Sequence, residues 1–384
     1  MPRLLGITSR GLIEPLAEEL QELGAKNVVV RPEAAHFDIE WSELRRVVCE
    51  SRIASRVLLP VADFQAYNEE DLYYGVLRRH DFTKYIEPDQ KIRVEAHVRD
   101  HKTLRDQRFV ALKTKDAVAD QFRKKFDRRP DVGTEEDADL KIVVRVVGPQ
   151  VSVSLDLTGF SLSNRGYRRQ AGVAPLRETV AAGLLRLSSW NAEKPLLDPF
   201  CGAGTIAIEA ALMAAKRSPQ VRSRRFPFEG WKVMDGARTK SSPRREDGRS
   251  AMASIEPPSQ PQIFAFDVDA NMINVAKANA RAAGVESWID FRVMDVRSIA
   301  EAPSGDAGWI VTNPPYGERL EDLERIKVLM GDFSHTLKKH FKGWDAWVLC
   351  GHTEMSKALR LKAERRAPVW NGPIECRFLK YPLR

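Results

Sequence analysis

From residue 180 to the end of the chain, short apolar runs alternate with stretches of helical spacing, and few architectures accept that rhythm. Strands are predicted at 195–198, 263–267, 289–294, 309–312, 346–350 and 376–381. Helices are predicted at 178–187, 205–215, 270–283, 321–341 and 355–361. Strands separated by helices pair in parallel, so the expected fold of 181–384 is a mostly parallel, doubly wound α/β sheet. Residues 235–262 interrupt it with a polar stretch that has little to bury and reads as a loop insertion.

The preceding residues read differently. Residues 1–60 form a small α/β unit: strands at 4–8, 28–31 and 36–39, a helix at 11–23 stopped by Gly24, and a helix at 44–54 capped by Ser42. Residues 61–160 form a second unit. It has helices at 72–79 and 117–126, a strand at 91–98, and strands at 138–147 and 151–157 joined as a hairpin by Gly148-Pro149. A junction at 161–180, rich in Gly, Ser and Arg, opens a helix at Pro175.

A length of 384 residues fits two to three such domains. No apolar run approaches the roughly 18 residues of a membrane span, and the N-terminus lacks a secretory pattern. Cys49, Cys201, Cys350 and Cys376 are widely spaced without a C-x-x-C, which points away from a disulfide framework or a metal site and toward a reducing cytoplasm.

The net charge of +8 and pI near 9.3 make a polyanionic partner reasonable. Arg99, Lys102, Arg105 and Arg108 surround an expected loop, and Arg123, Lys124 and Lys125 follow on a helix. Arg165 and Arg168 in the junction complete the candidate phosphate-contacting set. Such charges either contact phosphates or form a solvated face.

The run L-L-D-P-F-C-G-A-G-T-I-A-I-E-A-A (196–211) is a strand, a glycine turn and a helix, with Gly202, Gly204 and Ala207 in G-x-G-x-x-A spacing. A dinucleotide site would place an acidic residue about 20 positions on, whereas Asp267 comes much later. Asp198 before the turn suits a cationic amino group better than a pyrophosphate. Asp267 could accept from a ribose diol, Asp295 from an adenine amino group, while Asp269 caps a helix. Aspartates after strands are common turn residues, but three at successive strand ends beside a glycine turn indicate a ligand site. S-adenosylmethionine fits, with Phe200, Cys201, Thr205, Val268, Val296 and Asn313 completing the candidate set.

After the fourth strand comes N-P-P-Y (313–316). A conjugated exocyclic amino group is a poor nucleophile, and two acceptors aimed at its protons free its lone pair. Asn313 offers a side-chain carbonyl, and Pro314 a backbone carbonyl directed by Pro315. Tyr316 offers a face for stacking on a base. A plain strand-ending turn is the alternative.

These residues resemble the amino-methylating methyltransferases, and more closely the THUMP-domain RNA guanine-N2 methyltransferases. The motifs are D-P-F-C-G-A-G-T-I-A-I-E-A-A, F-D-V-D-A-N-M-I, T-N-P-P-Y-G-E-R-L, the junction L-D-L-T-G-F-S-L-S-N-R-G-Y-R-R with A-P-L-R-E-T, and the ending N-G-P-I-E-C-R-F-L-K-Y. The resemblance implies an α/β chain: a Rossmann-like S-adenosylmethionine-dependent methyltransferase domain with a C-terminal antiparallel hairpin, preceded by ferredoxin-like and THUMP domains. It also implies methylation of a guanine amino group in 23S ribosomal RNA or in tRNA. The chain ends after one such domain, so one modification is expected. An adenine-N6 DNA or protein-glutamine methyltransferase and a non-enzymatic RNA-binding factor are the competing readings.

Overall fold

The structure is a computed structural model. It describes residues 1–168, 176–220, 224–234, 256–260, 262–316 and 320–384. Pro175 and most of the polar stretch 235–262 lie outside the described residues.

The N-terminal half is built on one eight-stranded sheet in the order β2-β3-β1-β4-β8-β7-β5-β6. Its elements are β1 (Arg3–Ile7), α1 (Ile13–Glu22), β2 (Lys26–Arg31), β3 (Ala34–Asp38), α2 (Trp41–Glu50), β4 (Arg56–Gln65), α3 (Glu69–Arg79), β5 (Lys91–Arg99), α4 (Gln107–Phe126), β6 (Asp131–Val132), β7 (Leu140–Val147) and β8 (Gln150–Asp156). The hairpin at Gly148-Pro149 forms as expected, with Val147 opposite Gln150. β4 has no counterpart in the sequence reading. It joins the two units, pairing Leu58 with Leu5 on one side and with Asp156 on the other. Pro60 disguised it: proline lacks the ladder N–H, and the strand absorbs it in a bulge between Pro60 and Ala62.

Several helix starts also differ, those of α2 and α4 among them. α2 begins at Trp41 with Glu40 as N-cap, so Ser42 lies inside its first turn and caps nothing. α4 begins ten residues before the predicted 117, capped by Asp106, whose side chain accepts from the Arg108 N–H. The exposed Phe109 and Leu112 blur the apolar stripe that would have revealed its first half.

The C-terminal half is a seven-stranded sheet in the order β11-β10-β9-β12-β13-β15-β14. It comprises α5 (Glu178–Leu187), β9 (Leu196–Asp198), α6 (Thr205–Ala214), β10 (Ile263–Asp267), α7 (Ala270–Ala283), β11 (Ile289–Val293), β12 (Trp309–Thr312), α8 (Leu320–His340), β13 (Asp345–Cys350), α9 (Thr353–Ala358), β14 (Arg365–Asn371) and β15 (Ile374–Pro382). The first five strands are parallel, and β15 runs antiparallel between β13 and β14. β14 escaped the strand reading because R-R-A-P-V-W-N carries two cations and a proline. It is the edge strand, where both are tolerated.

The two halves are packed together. Leu12 sits against Gly183, where an added Cβ would lie 2.6 Å from its Cδ1. Arg186 clamps Glu22 through two bonds of 2.9 and 2.6 Å. Arg52 donates to the carbonyls of Leu212 and Arg217 at the end of α6 and beyond it. Among the described residues no helix is long and apolar enough to cross a membrane, and all four cysteines are buried thiols outside any disulfide.

Candidate active site

The strand order sets the site. From β9 the chain moves outward through β10 and β11 on one side, then through β12 and β13 on the other, so a crevice opens between the carboxyl ends of β9 and β12. Asp198 closes β9 there, 2% exposed. Its Oδ1 accepts from the Thr312 hydroxyl at 2.7 Å and the Phe200 N–H at 3.3 Å. Burial pushes the Asp198 carboxyl up to about 7 and the Asp267 charge adds to this, while the two bonds pull the other way. Thr312, which ties the two rim strands together, was read from the sequence only as a strand end and not as a site residue. Its only signal is that it is the polar end of W-I-V-T.

The glycine turn is held from three sides. The Cys201 N–H donates to the Phe266 carbonyl, the Gly202 N–H to Asp267 Oδ2 at 2.9 Å, and Asn279 of α7 to the Ala203 carbonyl at 3.1 Å. Gly202 and Gly204 both have positive φ, +51° and +83°, which favours glycine at each. They differ in surroundings. A Cβ on Gly204 would meet Ala276 at 3.0 Å, whereas one on Gly202 would meet nothing within 4 Å. Gly202 thus fronts an open side where a ligand can approach backbone. Phe200 anchors the turn edge-on against Phe333 at 5.1 Å. The Cys201 thiol is buried and pushed far up by that burial, so it is a packing group rather than a reactive one.

Asp267 ends β10 with Oδ1 accepting from the Asp269 N–H and Oδ2 from Gly202, leaving a lone pair on each oxygen. Val268 beside it is an exposed apolar side chain, 67% accessible. Asp269 caps α7 as expected. Two candidates need correction. Asp295 does not present a free carboxylate: Arg297, two residues on, takes both oxygens through its backbone N–H and guanidinium at 2.5–3.1 Å and holds the carboxyl below its usual range. Val296 is buried in the core beneath the rim, and its carbonyl accepts from Thr336 of α8.

N-P-P-Y opens on the same rim, directly after β12. Asn313 is half-buried, Pro314 buried and Pro315 exposed. The Tyr316 hydroxyl donates to Asn313 Oδ1, and the Cys376 thiol lies 3.7 Å from the same hydroxyl. Burial raises the Tyr316 phenol far above its ordinary value, so it remains a donor. Its ring lies on Gly351, where a Cβ would come within 2.8 Å. The sequence reading of Tyr316 as an open stacking face is therefore revised. One face is covered, and the hydroxyl orients the asparagine while leaving Oδ1 a second lone pair.

The basic residues separate into three groups. Arg99, Lys102, Arg105 and Arg108 are exposed near the start of α4. Arg123, Lys124 and Lys125 are exposed at its other end, about 22 Å away at 1.5 Å per residue. The second group borders an open cavity of about 440 Å³ lined by Arg78, His80, Asp81, Gln121, Lys124 and Lys125. Burial lowers His80 to about 4, so it is neutral there. Arg165 and Arg168 belong to neither group, which corrects their assignment. Arg165 is fully buried and paired with Glu209, and Arg168 is largely buried against Glu178 and Thr205. Among the described residues no cluster of His, Cys, Asp or Glu could hold a metal ion.

Fold and rim together define an α/β methyltransferase. A family model described as an RMKL-like methyltransferase domain matches residues 165–380, a THUMP-domain model matches 66–156, and an RlmL ferredoxin-like domain model matches 4–58. The chain belongs to this THUMP-bearing RMKL-like methyltransferase family, the one its motifs resemble. A solved structure of a possible methylase from Clostridium difficile 630 is 29% identical with a TM-score of 0.83, over 100% of this chain and 98% of that one. A predicted N6-adenine-specific DNA methylase from Listeria monocytogenes is 28% identical with a TM-score of 0.81, over 100% and 96%. SMU.472, solved with SAH, is 26% identical with a TM-score of 0.82, over 100% and 98%.

Proposed function

We propose that the chain transfers a methyl group from S-adenosylmethionine to the exocyclic N2 of an unpaired guanine in structured RNA, 23S ribosomal RNA first and tRNA second. The observation that carries this reading is the placement of Asn313 Oδ1. Tyr316 fixes it, and Asn313 stands one residue beyond Thr312, which bonds Asp198 across the crevice. The complex of SMU.472 with SAH supports the cofactor, and the THUMP match supports RNA. We also propose the division into 1–60, 61–160, the junction 161–180 and 181–384.

S-adenosylmethionine, when bound, supplies an electrophilic methyl group. The rest falls to the chain. Asp198 faces the ammonium, the remaining lone pairs of Asp267 accept from the ribose, and the open side of Gly202 admits the ligand to the backbone. Val268 covers the adenine. Asn313 Oδ1 and the Pro314 carbonyl accept the two amino protons of the base, which must be flipped out of any helix to reach them. Orientation supplies most of the rate, and the amino proton leaves to water after transfer.

The deciding experiment supplies labelled cofactor with 23S ribosomal RNA, tRNA and duplex DNA, then identifies the product by mass spectrometry. N2-methylguanosine from RNA is expected. Label in N6-methyladenine of DNA, or in protein glutamine, would overturn the reading.

Asp198 makes cofactor binding pH-dependent. An acid whose free-protein pKa is about 7 must lose its proton to attract an ammonium. SAH affinity is therefore expected to fall about tenfold from pH 8 to pH 6, with protons released on binding. Calorimetry in two buffers of different ionisation enthalpy reads both effects. Asp198→Asn should weaken binding and flatten the profile, and an unchanged profile would remove Asp198 from this role.

The cavity beside α4 accounts for part of the RNA affinity. Changing Lys124 and Lys125 to Glu is expected to lower the slope of log affinity against log salt by roughly 1 for each phosphate that the protein no longer neutralises. An unaltered slope in filter-binding titrations would return these lysines to an ordinary solvated face.

A further inference from the structure

Arg168 is bonded in a way that leaves it incomplete. Nε donates to Glu178 Oε1 at 2.9 Å, and Nη2 to the Leu176 carbonyl at 2.8 Å and Thr205 Oγ1 at 3.1 Å. Nη1 is buried and has no partner among the described residues. A guanidinium presents two N–H groups on that nitrogen, and leaving charged donors buried and unmet is costly enough that native sites seldom keep it. Thr205, which Nη2 grips, is the first residue of α6 and follows directly on Gly204, so this guanidinium stands at the end of the glycine turn.

Among the described residues at that turn, Arg168 is the cation available for a negatively charged group. Asp198 supplies the place for an ammonium and Asp267 the place for a diol, but neither receives an amino-acid carboxylate. We propose that Arg168 is the carboxylate-binding residue of the cofactor site, using Nη1 to hold the carboxylate of the methionyl group. This rests on the S-adenosylmethionine reading above. It moves Arg168 from the RNA surface to the cofactor. It also ties the junction between the two halves to the occupancy of the glycine turn, because Glu178 and Leu176 hold the same side chain from the start of α5. Lysine is a poor replacement, since one ammonium cannot reproduce the planar fork that Glu178, Leu176 and Thr205 use.

The test compares two ligands on the full chain by calorimetry: SAH, which carries the carboxylate, and 5′-methylthioadenosine, which lacks the whole amino acid. Arg168→Met is expected to weaken SAH by about 10- to 100-fold, the worth of a charge-assisted bond, while 5′-methylthioadenosine is bound as by the wild type. Equal loss for both ligands makes Arg168 a purely structural residue and overturns the proposal, as does no loss for either. If the methionine variant does not fold, Arg168→Lys is measured in the same way, with the same selective loss expected and the same outcomes overturning it. Wild-type protein that binds neither ligand would instead refute the S-adenosylmethionine reading, so the two failures are distinguishable.

Discussion

Replacing Asn313 with alanine is expected to slow methyl transfer by about 10²- to 10³-fold, the usual cost of losing one preorganised polar partner of the reacting group. SAH affinity should change by no more than a few-fold, because the acceptor acts on the base. Single-turnover labelling with saturating cofactor measures the first and calorimetry the second. The structure adds a control. Tyr316 donates to Asn313 Oδ1 and the Cys376 thiol lies against the Tyr316 hydroxyl, so a short polar relay fixes which way the amide faces. Tyr316→Phe frees that amide to turn while preserving the ring on Gly351. It is expected to cost about tenfold in rate, less than the loss of Asn313 itself, since misorientation of an acceptor is partial. If Asn313→Ala keeps wild-type labelling, the corner is only a strand-ending turn and the assigned chemistry fails.

The catalytic half is legible in the chain because buried parallel strands must be nearly continuous apolar runs. I-F-A-F-D and W-I-V-T read as such strands, and their last residues, Asp267 and Thr312, fall on the carboxyl-end rim of the sheet. β4 and β14 were obscured by Pro60 and Pro368, residues that a bulge and an edge accommodate for reasons of pairing that local sequence does not display. The site residues divide in the same way. Gly202, Gly204, Asp198 and Asn313, which the proposed reading uses, stand at strand ends and in the turn, places that local sequence displays. Asp295 was misjudged because its partner, Arg297, competes for the oxygens that a ligand would need. Arg165 was misjudged because charge alone says nothing about burial: the same residue type faces solvent on α4 and is sealed in the interior beside α6.

That sealed arginine carries the largest expected effect on stability. Arg165 and Glu209 both have fully buried side chains, with Nε to Oε1 and Nη2 to Oε2 each at 3.4 Å. Nη1 also donates to the Leu162 carbonyl at 2.8 Å and Nη2 to the Arg52 carbonyl at 2.5 Å, and the Tyr167 hydroxyl donates to the carboxylate at 3.1 Å. Removing one partner strands the other charge in a medium that cannot solvate it. Glu209→Ala is therefore expected to destabilise the folded chain by about 3–5 kcal/mol, read as a lower denaturation midpoint in urea. Replacing both residues by apolar ones, Arg165→Met with Glu209→Leu, removes the uncompensated charge and should recover most of that loss. The Arg52 carbonyl and the Tyr167 hydroxyl then lose these partners, while the Leu162 carbonyl keeps its bond from Gln220 at 2.7 Å, so recovery should fall short of complete. If the double variant is no more stable than Glu209→Ala, the cost lies in those missing hydrogen bonds and cavities rather than in the stranded charge. The location gives this pair its consequence for function: Glu209 sits in α6, the helix that follows the glycine turn, and Arg165 reaches from the junction to the carbonyl just past α2. Loss of the pair should therefore loosen the N-terminal half and the cofactor turn together, and SAH should raise the unfolding midpoint of the Glu209→Ala variant by less than it does for the wild type.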